Sequence, residues 1–291
     1  MDALIEVSRV PAEGETVLGE KCSFSPGGKG ANQSFAAGKL GGQVSMIGAV
    51  GKDEYGTALK ENLGMAGVDT GGIEEISDIP TGMAFILLEP SGQNRIVVVQ
   101  GTNGELGEAL IQRHRELIEE CDILMLQMEI PVEVNCLAAE IAREKGKIVI
   151  LDPSPVPDEM PDRLLSSVDV MKPNETELAL LTGRTVETKE DIVEASRCLI
   201  ERGVGCVLTT WGSRGAVLVS KEEWEYFPAE RVNAVDTTAA GDSFIAAFAC
   251  RFDGNNYREA IRFATQVAAR VVEKKGAQSS IPSLEELGEE L

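Results

Sequence analysis

The chain has 291 residues, of which 43% are hydrophobic and 26% are charged, as in a folded globular protein rather than a disordered one. Its 48 acidic and 27 basic residues give a formal net charge of −21, so the field of the whole molecule repels polyanions. We therefore expect neither a nucleic-acid partner nor an anionic membrane surface. A small phosphate ligand is still compatible with local cations and backbone N–H groups.

The first third of the chain predicts a small antiparallel sheet attached to a larger body. Strand patterns separated by Pro- and Gly-containing turns, without crossover helices, lie at residues 3–10, 16–24, 83–88 and 95–99. Between them, helical patterns at 29–40 and 55–65 flank a strand pattern at 43–50. The small sheet is thus predicted to be discontinuous, from residues 1–24 and 76–99, and the body to comprise residues 25–75 and 100–291.

From about residue 120, short apolar runs alternate with amphipathic stretches, the pattern of β-α-β units on a parallel sheet. Strands are predicted at 122–126, 147–151, 169–171 and 206–210. Helices are predicted at 132–145, 176–181, 189–202, 241–252 and 257–273. The fold class that follows is α/β.

The cysteine and histidine content limits the kinds of site available. Six cysteines show no C-x-x-C spacing, and we expect them to be buried, reduced thiols of a cytoplasmic protein. The only histidine, His114, lies in a charged helical stretch and is expected on the solvated surface, which excludes a multi-histidine zinc site. No leader pattern follows Met1 and no run approaches eighteen apolar residues, so neither export nor a membrane span is expected.

The segment Val-Asp-Thr-Thr-Ala-Ala-Gly-Asp-Ser-Phe at residues 235–244 leads small side chains directly into an apolar helix. Small residues at a helix start expose unpaired N–H groups at the positive end of the helix dipole, which favours a bound phosphate. Asp242 would repel that anion, which indicates a nearby hydroxyl group that needs a proton acceptor. The alternative is that Asp242 only caps the helix.

Three further segments carry groups that can bind ligands. Residues 25–33 form a glycine-rich turn before a helix, with the sequence Ser-Pro-Gly-Gly-Lys-Gly-Ala-Asn-Gln. The segment lacks the Walker A pattern, and it is either a loop that binds a ligand or only a turn. Lys-Pro-Asn-Glu-Thr-Glu at 172–177 follows a strand, at the edge where open α/β sheets bind ligands, although a capping box also explains Asn174 with Glu177. Thr-Trp-Gly-Ser-Arg-Gly at 210–215 lies near the same edge, where Arg214 could bind a phosphate or a surface carboxylate.

Taken together, these segments resemble the ribokinase family of carbohydrate and nucleoside kinases. Residues 27–33 and 236–242 are similar to the two signatures of that family, and the resemblance extends from Asp2 to residues 275–278. It implies a three-layer α/β/α sandwich with a small β-sheet lid that also forms a homodimer contact. The implied reaction transfers the γ-phosphoryl group of ATP to the 5-hydroxyl of D-ribose, giving D-ribose 5-phosphate and ADP.

The resemblance also implies roles for individual residues. Asp242 would be the general base, and the N–H groups of Ala239, Ala240 and Gly241 would form an anion hole. The sugar would contact Asp2, Gly28, Lys29, Gly30, Ala31, Asn32 and Glu129. Asn174 and Glu177 would arrange the nucleotide phosphates and Mg²⁺ through water, and the nucleotide pocket would include Thr210, Trp211, Gly212, Ser213, Arg214, Gly215 and Thr265. An activating K⁺ would be held by Asp236, Thr238 and Ser280 and by main-chain carbonyls around Val271, Lys274 and Gly276.

The sequence departs from the family pattern in two places. Family members begin with an apolar strand that ends in Asn-x-Asp, whereas only the last residue of that motif is present here, as Asp2. We expect the full reading frame to supply about ten mostly apolar residues before it; the alternative is an open sheet with a frayed sugar site. Thr265 stands where many members have a histidine against adenine. Open alternatives for the function are a kinase of deoxyribose, another sugar or a nucleoside, and an inactive sugar-binding homologue.

Overall fold

The computed structural model describes residues 1–288. Its strands are β1 (Asp2–Val7), β2 (Gly19–Ser25), β3 (Gly48–Gly51), β4 (Ile73–Ile76), β5 (Met83–Leu88), β6 (Asn94–Val99), β7 (Ile123–Leu126), β8 (Ile148–Leu151), β9 (Val170–Met171), β10 (Cys206–Thr210), β11 (Ala216–Val219) and β12 (Trp224–Phe227). Its α-helices are α1 (Lys29–Lys39), α2 (Glu54–Met65), α3 (Glu108–Arg113), α4 (Arg115–Glu120), α5 (Val132–Glu144), α6 (Asp162–Leu165), α7 (Glu175–Thr182), α8 (Lys189–Glu201), α9 (Ala240–Arg251) and α10 (Tyr257–Val272). Short 3-10 helices lie at Gly101–Glu105, Gly212–Arg214, Gln278–Ser280 and Glu285–Leu287.

The largest sheet has six strands in the order β12-β11-β10-β9-β8-β7. Neighbours from β7 to β10 are parallel, and β11 and β12 extend the sheet antiparallel. Apolar side chains of α5 and α8 pack in one core cluster and those of α9 and α10 in a second cluster, and both clusters include residues of β8 and β10. The sheet therefore lies between two helical layers, as the α/β prediction requires.

The small sheet has four strands in the order β2-β1-β5-β6. It is mixed rather than wholly antiparallel, because β1 pairs in parallel with β5 from Asp2↔Ala84 onward. Strand β1 ends at Val7 rather than residue 10, after a register shift at Glu6/Val7, and β2 begins at Gly19 rather than residue 16. The structure differs from the prediction because the direction and ends of a strand depend on the strands with which it pairs. The periodicity of one strand does not specify those partners.

Strands β3 and β4 form a separate parallel pair. The predicted strand at 43–50 is largely wrong, because only its last residues pair as part of β3. Among the described residues, no backbone ladder joins β7 to β3, and a cavity of about 780 Å³ lies there, lined by residues 42–47 and by Ile123–Gln127. A strand upstream of Asp2 stays a prediction.

Two predictions about single residues need correction. Only Cys136 and Cys206 are buried, whereas Cys22 is exposed on the edge strand β2 and the other three thiols are partly buried. His114 is not a freely solvated residue: it lies at the break between α3 and α4, with Nε2 3.4 Å from Glu74 Oε1 on β4. Within residues 1–288, no helix is both long and apolar enough to span a bilayer.

Candidate active site

The start of α9 presents a buried carboxylate. Its N-cap, Ala239, has a left-handed backbone with φ 59°, and Asp242 in the first turn is 6% exposed. Asp242 Oδ2 accepts a hydrogen bond from Asn32 Nδ2 at 2.9 Å, and Oδ1 accepts one from Gln33 Nε2 at 3.2 Å. No cap hydrogen bond is made by a side chain at this helix end, so the interpretation of Asp242 as a mere cap is wrong.

The backbone before Asp242 is partly prepared for an anion. Within residues 1–288, the N–H groups of Ala239 and Gly241 have no protein acceptor, whereas Ala240 N–H donates to Thr237 O at 3.2 Å. A helix N-terminus with unpaired N–H groups attracts negative charge. Ala240 would have to release Thr237 before it could join an anion hole.

The glycine-rich loop is a meeting point and not only a turn. A Cβ at Gly27 would lie 2.1 Å from Asp2 Oδ2, so the carboxylate of Asp2 occupies the space that a side chain would need. Gly28 has φ 96°, which favours glycine, and caps α1. The following N–H, of Lys29, donates to Glu129 Oε2 at 2.8 Å. The loop thereby brings the start of β1 and the segment after β7 to the N-terminus of α1.

The other three loop residues assigned to the sugar, Gly30, Ala31 and Asn32, lie on α1. A Cβ at Gly30 would lie 3.4 Å from Gln127 Nε2, and Ala31 packs against the apolar cluster that contains Val50 and Val68. Ala31 can therefore offer only its backbone to a ligand. Asn32, in contrast, is 6% exposed, and its Oδ1 accepts a hydrogen bond from Gln278 Nε2 at 3.0 Å, so its amide orientation is fixed.

Burial and neighbouring charges shift the pKa values of three ionisable groups in this site. Burial raises the pKa of the Asp2 carboxyl, partly offset by the Met1 ammonium, and burial also raises the pKa of Glu129, partly offset by its contacts with Lys29. Burial alone lowers the pKa of Lys29, but the carboxylates of Asp152 and Asp242 outweigh it, so that pKa is raised. Lys29 is a permanent cation among acidic groups.

The two predicted nucleotide segments lie side by side. Asn174 Oδ1 accepts from Glu177 N at 2.8 Å and Glu177 Oε2 accepts from Asn174 N at 2.8 Å, so the capping-box interpretation is confirmed. Asn174 also forms an isolated parallel bridge with Thr210. These groups therefore meet at the C-terminal ends of β9 and β10, where ligands bind in open α/β sheets.

After β10, the segment up to Gly215 forms a compact turn. The Arg214 guanidinium lies 3.6 Å from the centre of the Trp211 ring, and its Nη2 lies 3.9 Å from Glu175 Oε1. Gly212 and Gly215 have positive φ, and a Cβ at Gly215 would lie 2.0 Å from Phe227 O. Ser213 lies between them in a 3-10 turn. Thr265 lies on α10, where its Oγ1 donates to Ile261 O at 2.8 Å.

The predicted cation ligands are partly assembled. Asp236 Oδ1 accepts from Thr238 N at 2.9 Å and Thr238 Oγ1 at 2.7 Å, and Asp236 Oδ2 accepts from Gly276 N at 2.9 Å. Two more assigned residues, Val271 and Lys274, are joined by a backbone hydrogen bond at the end of α10. Ser280 is fully buried, with its Oγ donating to Ala277 O at 2.7 Å. Residues 1–288 contain no cluster of three or more His, Cys, Asp or Glu side chains arranged for a metal.

Four polar residues that contact Asp242 or its neighbours have no role predicted from the sequence. They are Gln33, Asp152, Lys172 and Gln278, all buried. Gln33 and Lys172 lie inside motifs that the sequence does single out. Asp152 directly follows β8, and a polar residue at the C-terminal end of a parallel strand is the signal that could have identified it.

The sequence and the fold are both similar to those of known proteins. A model of the pfkB family of carbohydrate kinases matches residues 1–284. The chain is 38% identical over 286 residues to the ribokinase of Haemophilus influenzae, covering 98% of this chain and 93% of the relative. It is 35% identical over 292 residues to the deoxyribokinase of Salmonella typhi, covering 100% of this chain and 95% of the relative. Among solved structures, Arabidopsis thaliana ribokinase complexed with ribose and ATP has a TM-score of 0.93 and 36% identity, covering 98% of this chain and 94% of that one.

Proposed function

The chain belongs to the pfkB family of carbohydrate kinases, and from that membership we propose that it transfers the γ-phosphoryl group of ATP to the 5-hydroxyl of D-ribose. The products are D-ribose 5-phosphate and ADP. The observation that carries this proposal is the buried carboxylate of Asp242 in the first turn of α9, beside Lys29 and Asn32, in a chain similar over nearly its whole length to ribokinases. The proposed proton acceptor and the proposed anion hole then lie within one turn of the same helix.

Asp242 is the proposed general base. Phosphoryl transfer passes through a loose transition state, so the protein contributes mainly alignment and charge stabilisation, with proton removal from the sugar hydroxyl at a late stage. The amides of Asn32 and Gln33 hold the two Asp242 oxygens in place. The carboxylate therefore needs little reorganisation when the hydroxyl arrives.

The proposed anion hole consists of the N–H groups of Ala239, Ala240 and Gly241. Those of Ala239 and Gly241 are ready to donate, and the N–H of Ala240 becomes available when it releases Thr237 O. The ammonium of Lys29, 3.8 Å from Asp242 Oδ1, supplies positive charge nearby.

The proposed sugar site comprises Asp2, Gly28–Asn32 and Glu129. Its two partly buried carboxylates, Asp2 and Glu129, accept hydrogen bonds from sugar hydroxyls, and Asn32 fixes the position of the base. A polar lining of this kind fits a small sugar with many hydroxyl groups better than a nucleobase, which needs apolar and aromatic lining.

The proposed nucleotide site lies at residues 174–177 and 210–215, with Gly241 and Thr265. Mg²⁺, when bound with ATP, neutralises phosphate charge. The oxygens of Asn174 and Glu177 already accept backbone hydrogen bonds in the capping box, which fits contact with Mg²⁺ through water rather than direct ligation. For K⁺, the proposed ligands offer a carboxylate, hydroxyls and main-chain carbonyls at Asp236, Thr238, Ser280, Val271, Lys274 and Gly276, an all-oxygen set that suits a hard cation.

We place a dimer contact on the four-stranded sheet, which is also the proposed lid. Every residue of β6 is exposed, including Ile96 at 54%, Val97 at 63% and Val98 at 58%. A contiguous apolar strand at a sheet edge invites pairing or cover by another chain.

The proposed compartment is the cytoplasm, where thiols stay reduced, because all six cysteines are free.

The test is a coupled assay of ADP release over ribose, 2-deoxyribose, other sugars and nucleosides. A kcat/KM that is highest for ribose supports the proposal. A preference for 2-deoxyribose would favour the second candidate, a deoxyribokinase, which the similarity to the Salmonella typhi enzyme keeps open. Absence of turnover with every sugar and every nucleoside would point to the inactive homologue.

A further inference from the structure

A second buried carboxylate lies beneath the candidate site. Asp152 follows β8, and its side chain is 0% exposed. Its Oδ2 atom lies 3.1 Å from Gln33 Nε2, 3.2 Å from Lys172 Nζ and 3.7 Å from Lys29 Nζ. A buried ionised carboxylate is costly unless cations and hydrogen bonds surround it, and here both are present.

Two of these three donors also contact Asp242. Gln33 Nε2 lies 3.2 Å and Lys29 Nζ 3.8 Å from Asp242 Oδ1. Each donor thus lies between two carboxylates, which restricts where the amide and the ammonium can point. As a consequence both donors stay near Oδ1 of Asp242, while Oδ2 is held by Asn32.

The third donor connects Asp152 to the helix that carries Asp242. The side chain of Lys172 is 5% exposed, and its Nζ lies 3.5 Å from Gly241 O in the first turn of α9. A Cβ at Gly241 would approach this nitrogen to 3.3 Å, so a side chain there would crowd the lysine. Lys172 therefore places a fixed positive charge beneath the proposed anion hole.

The four charges form a balanced group with unequal access to solvent. Asp152 and Lys172 are hidden, whereas the side chain of Lys29 is 27% exposed and faces the site. Complete burial prevents Asp152 from contacting either substrate. A purely structural ion pair with Lys172 would need neither Gln33 nor Lys29, which Asp152 shares with Asp242.

We propose that Asp152 is a positioning residue for phosphoryl transfer, which acts through Gln33 and Lys29 on Asp242 and through Lys172 on the first turn of α9. This inference rests on the proposed function, because it assumes that Asp242 accepts the proton of the sugar hydroxyl. Its consequence is that a residue outside the substrate pocket controls kcat. KM for either substrate depends on it far less.

The test compares the native chain with Asp152→Asn in steady-state kinetics. We expect kcat to fall by about 10–100-fold, with both KM values within about threefold of native, since misalignment acts on the transition state rather than on ground-state binding. The control is Asp169→Asn. Asp169 directly precedes β9, at the edge of the sheet opposite to Asp152, and its carboxylate accepts a backbone hydrogen bond from Val149 N at 2.8 Å. We expect native kcat in that control.

A double variant, Asp152→Asn with Lys172→Met, separates positioning from folding. It removes both charges of the hidden pair and restores electrical balance, so its Tm should exceed that of Asp152→Asn while kcat stays low. Native kcat in Asp152→Asn, or recovery of kcat together with Tm in the double variant, would overturn the proposal. If the native chain itself fails to phosphorylate ribose, the proposed function is wrong instead, and the variants are then compared on the sugar that it does phosphorylate.

Discussion

The floor of the candidate site and the outer strand of the four-stranded sheet differ in which side chains they hide from water. The floor buries Asp152, Lys172 and Asp242, whereas β6 exposes Val97 and Val98. Each arrangement is unfavourable in an isolated fold, because buried charges need compensation and exposed apolar strands invite association. On the floor, compensation comes from the chain itself, whereas at β6 we propose that a second chain supplies it. The floor is thus prepared before ligands bind, and the proposed dimer would cover the outer strand of the sheet.

The largest effect is expected from a substitution in the floor of the candidate site. Asp242→Asn keeps the hydrogen bonds that an amide oxygen can accept but removes the proton acceptor, so we expect kcat to fall by about 10²–10⁴. That fall corresponds to roughly 3–5 kcal/mol of barrier. The measurement is kcat by coupled ADP release, with ATP binding by calorimetry to show an intact nucleotide site.

The control for this variant is Asp253→Asn, beyond the other end of α9, where the side chain accepts only local backbone hydrogen bonds. It should retain native kcat. Turnover near native in Asp242→Asn would show that the buried carboxylate is structural.

The next prediction concerns substitutions on the exposed strand β6 of the four-stranded sheet. Val97→Lys combined with Val98→Lys places a charge on both faces of β6, because successive strand residues point to opposite sides. We expect the proposed dimer to become a monomer at micromolar concentration in sedimentation experiments, and KM for ribose to rise as the lid loses its support.

Leu180→Lys is the matched control, since Leu180 on α7 is an apolar side chain of similar exposure, 66%, outside the sheet. It should leave the assembly state unchanged. A native chain that is already a monomer, with or without ribose, would contradict the dimer.

A smaller effect concerns the proposed site for a monovalent cation near the floor. Replacing Na⁺ by K⁺ at constant ionic strength should raise kcat severalfold, because a cation held at Asp236 orders the turn that leads to the anion hole. Asp236→Asn should abolish the difference between the two salts. Equal rates in Na⁺, K⁺, Cs⁺ and NH₄⁺ for the native chain would rule out this site.

The smallest effect sharpens the comparison through stability. Burial raises the pKa of Glu129 above its ordinary value of 4.5, so folding favours the protonated carboxyl. The ionised form therefore costs stability at pH values above the folded pKa, and the cost disappears as pH falls below 4.5. We expect Glu129→Gln to raise the free energy of unfolding by about 1 kcal/mol or less at pH 7 and to weaken ribose binding.

Thermal unfolding of Glu129→Gln at pH 7 and near pH 4 checks this expectation. The exposed carboxylate of Glu133, paired with Arg163 on the surface, provides the control Glu133→Gln, which should gain no stability. A Glu129→Gln protein that is less stable than native at pH 7 would contradict the prediction.

Much of the body could be predicted from sequence because its helices and strands carry local signals. The predicted helix at 257–273 is α10, Tyr257–Val272, and the predicted strand at 206–210 is β10. The sequence predicts the small sheet less well, because its patterns indicate the discontinuous strands but not the parallel pairing of β1 with β5 at Asp2↔Ala84. Pairing between segments distant in the chain depends on register and burial, which one strand does not specify.

The same division applies to the site. The sequence singles out Lys29, Asn32 and Asp242 as candidates through a glycine-rich turn and small residues before a helix, and the resemblance to the ribokinase family gives them their roles. Only the tertiary structure decided that Asp152 and Lys172 lie beneath them, and that Asp242 is held by amides from α1 rather than capping its own helix. Those contacts join residues up to 210 positions apart, and their strength arises from burial, which exists only once the sheet and both helical layers have packed.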